Sequence, residues 1–145
     1  MKAVIQRVTQ GSVSIDNQVV ASIGQGFVIL LGIQMDDDHS KADALARKIA
    51  NLRIFSDQDD KMNLSILDIK GEAIVVSQFT LMADTHKGNR PSFIYAAPPE
   101  IASPLVDYFV DALKSHGIPT QTGKFGADML VEIHNDGPVT ILLET

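Results

Sequence analysis

The sequence predicts a mixed α/β fold, a layered β/β/α domain with partly antiparallel sheets and two main helices. Three observations predict it. Short β-branched segments open and close the chain, and only two stretches carry a helical apolar period. Two helices cannot cover both faces of a sheet system of about eight strands, so sheet must pack on sheet with the helices on one side.

Residues 1–8 are apolar and β-branched and read as a strand. Val13, Ser14 and Ile15 alternate, Asp16-Asn17 turns the chain, and residues 19–23 return, which is a hairpin signal. Gly24-Gln25-Gly26 turns again into residues 27–33, a continuous apolar run that fits a buried strand. Asp36-Asp37-Asp38 opens the first helix, whose Ala42, Leu45, Ala46 and Ile49 recur at one-face spacing. Acids at its start and Arg47-Lys48 near its end suit the helix dipole. The acidic run therefore reads as a helix N-terminus, and its spacing supplies no further oxygen ligands for a metal.

Residues 53–55 read as a short strand, 56–62 as a turn, and 64–67 and 73–81 as strands separated by Lys70-Gly71. Residues 82–99 show little periodicity, and a loop of that length inside a compact domain is often functional. Ser103-Pro104 reads as the cap and first position of the second helix. Leu105, Tyr108, Phe109 and Ala112 form its buried stripe, and Gly117 and Pro119 stop it. Residues 129–134 and 139–143 read as two last strands joined by Asn135-Asp136-Gly137-Pro138, which is good turn chemistry in its own right.

The 145 residues fit one domain, 1–145, with no linker or repeat. A chain of this size buries about 70% of its unfolded surface and needs no disulfide or metal to fold. It has no cysteine, which removes thiolate nucleophiles, disulfides and Cys-type zinc sites. The N-terminus lacks the apolar core of a signal peptide, and the longest apolar run is too short to span a membrane. The formal net charge of −6 argues against general nucleic-acid binding, since affinity for phosphate comes from Lys and Arg.

Standard catalytic motifs are missing: no G-x-S-x-G, H-E-x-x-H, P-loop or dinucleotide fingerprint occurs. His39, His86, His116 and His134 share no metal-ligand spacing. Ser77, His134 and Asp136 supply the residue types of a hydrolytic triad and nothing more. Ser77 and Thr80 end an apolar segment, where a hydroxyl can face a pocket or simply serve a strand. These residues by themselves stop at a single-domain α/β protein.

Three segments carry a resemblance. They are Ser77-Gln78-Phe79-Thr80-Leu81, Gly88-Asn89-Arg90-Pro91-Ser92-Phe93 and Asn135-Asp136-Gly137-Pro138-Val139-Thr140. With Gln6-Arg7-Val8, Arg53-Ile54-Phe55-Ser56-Asp57, Lys61-Met62-Asn63-Leu64 and Thr120-Gln121-Thr122-Gly123 in order, the whole chain closely resembles the D-aminoacyl-tRNA deacylase family. The resemblance implies a cytoplasmic hydrolase that cleaves the ester between a D-amino acid, or mischarged glycine, and the tRNA 3′ end. It implies rejection of L-aminoacyl-tRNA, a homodimer with sites at the interface, a β/β/α fold, and no metal or organic cofactor. Carried onto this sequence, Ser77, Gln78, Phe79 and Thr80 line the catalytic pocket and supply backbone amides. Gly137-Pro138, as a cis peptide, reaches into the partner subunit's pocket as the chirality gate. Arg7 holds that segment, and Phe125 and Met129 lie near the terminal adenosine.

The chemistry is compatible with this. An aminoacyl ester is already activated, and one well-placed oxyanion donor contributes roughly 3–4 kcal/mol. The neighbouring ribose 2′-hydroxyl can orient water or relay a proton. Lys87, Arg90 and Lys124 are the cations available for a local basic rim, or are simply solvated. Two rivals stay open: an esterase or amidase using Ser77 or Thr80 as nucleophile, and a non-catalytic dimeric ligand-binding module.

Overall fold

In a computed structural model that describes residues 1–145, the chain forms eight strands and two helices. β1 (Lys2–Ile15) is the spine. It turns through Asp16 and Asn17, both at positive φ, into β2 (Gln18–Ile23), the two-residue turn whose twist suits a hairpin. β3 (Gly26–Gly32) pairs antiparallel with the first half of β1, and β2 pairs with the second half. α1 (His39–Ala50), β4 (Phe55–Ser56) and β5 (Met62–Leu64) follow, with β4 and β5 forming a separate small sheet. β6 (Glu72–Ser77) then pairs parallel with β3. α2 (Pro99–Ser115) leads to β7 (Thr120–Thr122), parallel to β6. β8 (Leu130–Glu144) closes the chain along the other edge of β1.

The layering follows from side-chain alternation. On β3 and β6, Phe27, Ile29, Leu31, Ala73 and Val75 point one way, into the large core with both helices. Val28, Ile74 and Val76 point the other way, against Val8 and Val13 of β1 and Ala21 and Ile23 of β2. β3 is thus buried on both faces, which is why its sequence is a continuous apolar run. Fully burying a side chain such as Phe27 or Leu31 contributes about 1.5–3 kcal/mol. Parallel pairing needs crossovers, and α1 and α2 lie within the two that join β3 to β6 and β6 to β7. No helix is long and apolar enough to cross a membrane.

The acidic run does open α1, with a division of labour. Asp38 caps the helix by accepting from the Lys41 amide at 2.9 Å. Asp37 is buried and accepts from the Met1 ammonium at 2.6 Å. Asp36 pairs with Lys41, whose ammonium holds the Asp36 carboxyl below its ordinary value.

Several boundaries differ from the sequence expectation. α2 starts at Pro99 rather than after Ser103, so Pro104 lies inside the helix and Ser103 caps nothing. The expected strand over 73–81 ends at Ser77, and residues 65–70 turn where a strand over 64–67 was expected. In that turn the Ser65 amide and hydroxyl each donate to Asp68 at 2.7 Å. The short strand expected over 53–55 begins at Phe55. The last two expected strands are one, β8, and Asn135-Asp136-Gly137-Pro138 interrupts it without making a hairpin.

Candidate active site

The parallel strands β3, β6 and β7 point the same way, and their carboxyl ends leave a crevice, as is general for parallel sheets. A cleft of about 660 Å³ lies there. Ile33 lines it just past β3, Val76, Ser77 and Gln78 at the end of β6, and Phe125 and Met129 after β7. Ala96, Ala97, Ala102, Gly126 and Ala127 also face it, and their small size leaves the room. Sequence reading missed these five; their one visible signal was the small residues clustered around the long loop and after Phe125.

The corner at the end of β6 is built from main chain. The Gln78 amide makes the last ladder bond, to the Leu31 carbonyl at 2.8 Å. The chain then enters a short 3₁₀ turn, Phe79–Met82, with no side-chain cap. The amides of Phe79 and Thr80 head this turn, where no earlier turn carbonyl is available to accept from them. Gln78 Nε2 donates to Thr80 Oγ1 at 2.5 Å. Phe79 is 56% exposed and meets Phe93 edge-on at 5.0 Å. Ser77, Gln78 and Phe79 line the cleft, while Thr80 sits just beyond it on the turn.

Gly137 and Pro138 lie elsewhere, midway along β8. Gln6 pairs with Thr140 and Val8 with Asn135, so the four residues 136–139 stand opposite the single residue Arg7. The surplus chain leaves the ladder as an excursion with exposed Gly137 and Pro138 at its tip. The Gly137-Pro138 peptide is cis. Arg7 fills the gap behind: Nη1 donates to the Ile54 carbonyl at 2.6 Å, and Nε faces the Asp136 carbonyl and carboxylate, each at 3.2 Å. The Val139 amide donates to Asn135 Oδ1 at 3.2 Å, and Asn135 Nδ2 and Thr140 Oγ1 both donate to Gln6 Oε1. Gly137 has φ +116°, and a Cβ there meets Arg7 Nη2 and Val139 Cγ2 at 2.9 Å, so only glycine fits.

The triad drawn from residue types does not assemble. His134 bonds Gln10 at 3.2 Å on the β1–β8 surface, and Asp136 belongs to Arg7; neither lines the cleft with Ser77. His39 packs against Tyr108 with the rings tilted, His86 sits 2.7 Å from Asp84, and His116 caps α2. The His86 amide and ring hold the Asp84 carboxyl below its ordinary value. Lys87, Arg90 and Lys124 are exposed and take no part in an ion pair.

Fold and cleft together define a β/β/α protein of the ligand-cleft class, in which the polar groups are main-chain amides, hydroxyls, a carboxamide and the Asp128 carboxylate. The family model for D-Tyr-tRNA(Tyr) deacylase matches residues 4–144, so the chain belongs to that family of ester hydrolases. It is 59% identical to a D-aminoacyl-tRNA deacylase of Roseiflexus sp. (strain RS-1), over 100% of this chain and 94% of that one. It is 54% identical to a D-aminoacyl-tRNA deacylase of Thermomicrobium roseum, with the same coverage. Among solved structures, a c-Myc DNA unwinding element binding protein superposes with a TM-score of 0.94 at 43% identity, covering 100% of this chain and 99% of the other. A probable eukaryotic D-amino acid tRNA deacylase shares the fold, with a TM-score of 0.85 at 15% identity over 98% and 97% of the two chains.

Proposed function

We propose that this protein hydrolyses the ester joining a D-amino acid, or mischarged glycine, to the 3′ end of tRNA in the cytoplasm, and spares L-aminoacyl-tRNA. The observation that carries this reading is the main-chain corner at Ser77-Gln78-Phe79-Thr80 opening onto the strand-end cleft, in a chain that belongs to the deacylase family. The ester carbonyl lies against the Phe79 and Thr80 amides, which stabilise the developing oxyanion by roughly 3–4 kcal/mol for one well-placed donor. Water is the nucleophile, and the ribose 2′-hydroxyl helps orient it. No histidine or lysine lines the cleft with Ser77, which disfavours an acyl-enzyme route.

The working form is a homodimer. The outer edge of β8 is unpaired along its length and carries exposed Leu130 and Leu142, the kind of edge that seeks a partner strand. The Gly137-Pro138 excursion projects from this strand and lies outside its own chain's cleft, so a second copy supplies the pocket it serves. There it presents backbone and a proline ring with no side chain at 137. With the α-carbon fixed by its ester and amino group, a D side chain leaves toward solvent, whereas an L side chain meets this wall. Glycine passes because it has no side chain. Exclusion of this kind leaves side-chain identity free and acts against the wrong enantiomer alone.

The test is a time course of ester loss from matched D-tyrosyl-, L-tyrosyl- and glycyl-tRNA with purified protein. Rapid loss from the D and glycyl substrates beside a nearly intact L substrate supports the reading. Equal rates on both enantiomers overturn proofreading, and no loss from any overturns the activity.

A further inference from the structure

The two sides of the cleft differ in charge. On one side, residues 123–129 carry Lys124 and Asp128, which cancel, and Asp128 is the one that lines the cleft, where its carboxylate repels phosphate. The other side is the long segment between the 3₁₀ turn and α2. Residues 85–99 contain no acid, in a chain that has 18. Asp84, at the foot of this segment, is occupied by the His86 amide at 3.0 Å and the His86 ring at 2.7 Å. Lys87 and Arg90 are exposed and enter no ion pair.

The segment is fixed at its base. Asp84 and Ser92 exchange backbone hydrogen bonds at 2.8 and 2.9 Å, and the Ala97 amide donates to the Ile33 carbonyl at 2.9 Å. Residues 85–91 therefore stand out as an exposed arm. Aromatic surface follows it in the chain. Phe93 lines the cleft and meets Phe79 edge-on, and two residues on, Tyr95 is 54% exposed. Tyr95 shares a recess of about 210 Å³ with His86, so ring and arm stand together beside the cleft. Free cations next to an exposed ring are the combination that holds single-stranded RNA, the cations following the backbone while the ring stacks on a base.

We propose that the segment from Lys87 to Tyr95 is the track for the single-stranded nucleotides that precede the terminal adenosine. Tyr95 stacks on one of their bases, and Lys87 and Arg90 hold their phosphates. This rests on the deacylase reading of the cleft. With the terminal nucleotide in the cleft, the strand leaves across one side or the other, and the Asp128 side offers it no net attraction. A local track also reconciles RNA binding with a formal net charge of −6.

The experiment uses D-tyrosyl esters of three lengths: D-tyrosyl-adenosine, which has no preceding nucleotide, the D-tyrosyl ester of the trinucleotide CCA, and D-tyrosyl-tRNA. Wild type is compared with the double variant Lys87→Gln, Arg90→Gln and with Tyr95→Ala and Tyr95→Phe. Each single-strand phosphate contact adds about 0.7 to the slope of log affinity against log salt, so the double variant should lower that slope by about 1.4 on the two longer esters. Tyr95→Ala should raise KM on the same two by about fivefold or more, with kcat changed far less, and Tyr95→Phe should keep the wild-type KM because the ring does the stacking. All four proteins should cleave D-tyrosyl-adenosine alike. Fluorescence anisotropy with labelled, unacylated CCA should give the same order of affinities without turnover. Defects as large on D-tyrosyl-adenosine as on the longer esters, a Tyr95→Phe defect equal to that of Tyr95→Ala, or equal affinity of all four proteins for CCA overturn the proposal. Defects seen with tRNA but not with the trinucleotide ester place the arm on the acceptor duplex and also overturn it. Failure of wild type to cleave D-tyrosyl-tRNA instead overturns the deacylase reading, while the anisotropy still tests the track.

Discussion

Replacing Arg7 by alanine should damage both stability and selectivity, because this one side chain ties the β8 excursion to the fold. Its guanidinium donates to the buried Ile54 carbonyl at 2.6 Å and faces the Asp136 carbonyl and carboxylate, each at 3.2 Å. The bond to Ile54 is of the charged, buried kind, and such a bond contributes about 1.5–3 kcal/mol. The Asp136 carboxylate is 37% exposed, so its ion pair adds at most about 1 kcal/mol. A combined loss of roughly 2–4 kcal/mol lowers the melting temperature of a domain this size by about 5–15 °C. Arg7→Lys should fall between, since an ammonium cannot span both groups as a guanidinium fork does. With residues 136–139 freed, the ratio of D to L hydrolysis should fall by about tenfold or more. Thermal unfolding followed by circular dichroism, together with single-turnover rates on both enantiomers, reads the two effects. An Arg7→Ala protein with wild-type melting temperature and wild-type selectivity would refute the reasoning.

Gly137→Ala should cost about 1–3 kcal/mol from its φ of +116° alone and should also erode selectivity, read by urea denaturation and the same rate pair. Ser77→Ala and Thr80→Ala should each keep clear activity, whereas loss of a true nucleophile costs up to about a million-fold; a collapse to background with the fold intact revives the covalent route. Asp37→Ala leaves the buried Met1 ammonium unpaired and should cost about 3–5 kcal/mol, seen as a large shift in the urea midpoint. Asp57 and Asp68 are held below the ordinary 3.8, each chiefly by a backbone amide, from Lys61 and Ser65 respectively. A carboxyl depressed in the folded state contributes fully above its unfolded value, so stability should hold from neutral pH to about 4 and fall below it. Asp68→Asn should flatten that acid limb, and an unchanged limb contradicts the assignment.

The legible parts of the fold were those fixed locally. The Ala42, Leu45, Ala46 and Ile49 period specifies α1, Asp16-Asn17 specifies the first hairpin, and the apolar run around Phe27–Leu31 reflects burial on two faces. β8 was misread because Asn135-Asp136-Gly137-Pro138 has turn chemistry, and nothing local says whether its flanks pair with each other or both with β1. Pro104 was misread as a first helical position because Pro99, five residues earlier, fills that role. The stretch 73–81 runs from apolar Ala73–Val76 into Ser77-Gln78-Phe79-Thr80-Leu81, residues that a strand tolerates, yet the Gln78 amide ends the ladder and the backbone turns, a change that the residue pattern does not encode. The cleft lining followed the same division. Ser77, Gln78, Phe79, Phe125 and Met129 were named from the family resemblance, while the alanines that make the space showed only as small residues near the long loop and after Phe125, with nothing local to place them at the cleft.

D-selective ester hydrolysis is assigned to the strand-end cleft. Its most direct test combines chemistry with location: single-turnover cleavage of matched D- and L-tyrosyl-tRNA by wild type and by Ala127→Trp, in which an indole fills the cleft at a partly exposed alanine. Wild type should cleave the D substrate fast and leave the L substrate nearly intact, with the D rate abolished in a folded Ala127→Trp protein. Equal rates on the two enantiomers, or D cleavage undiminished with the cleft filled, would contradict it.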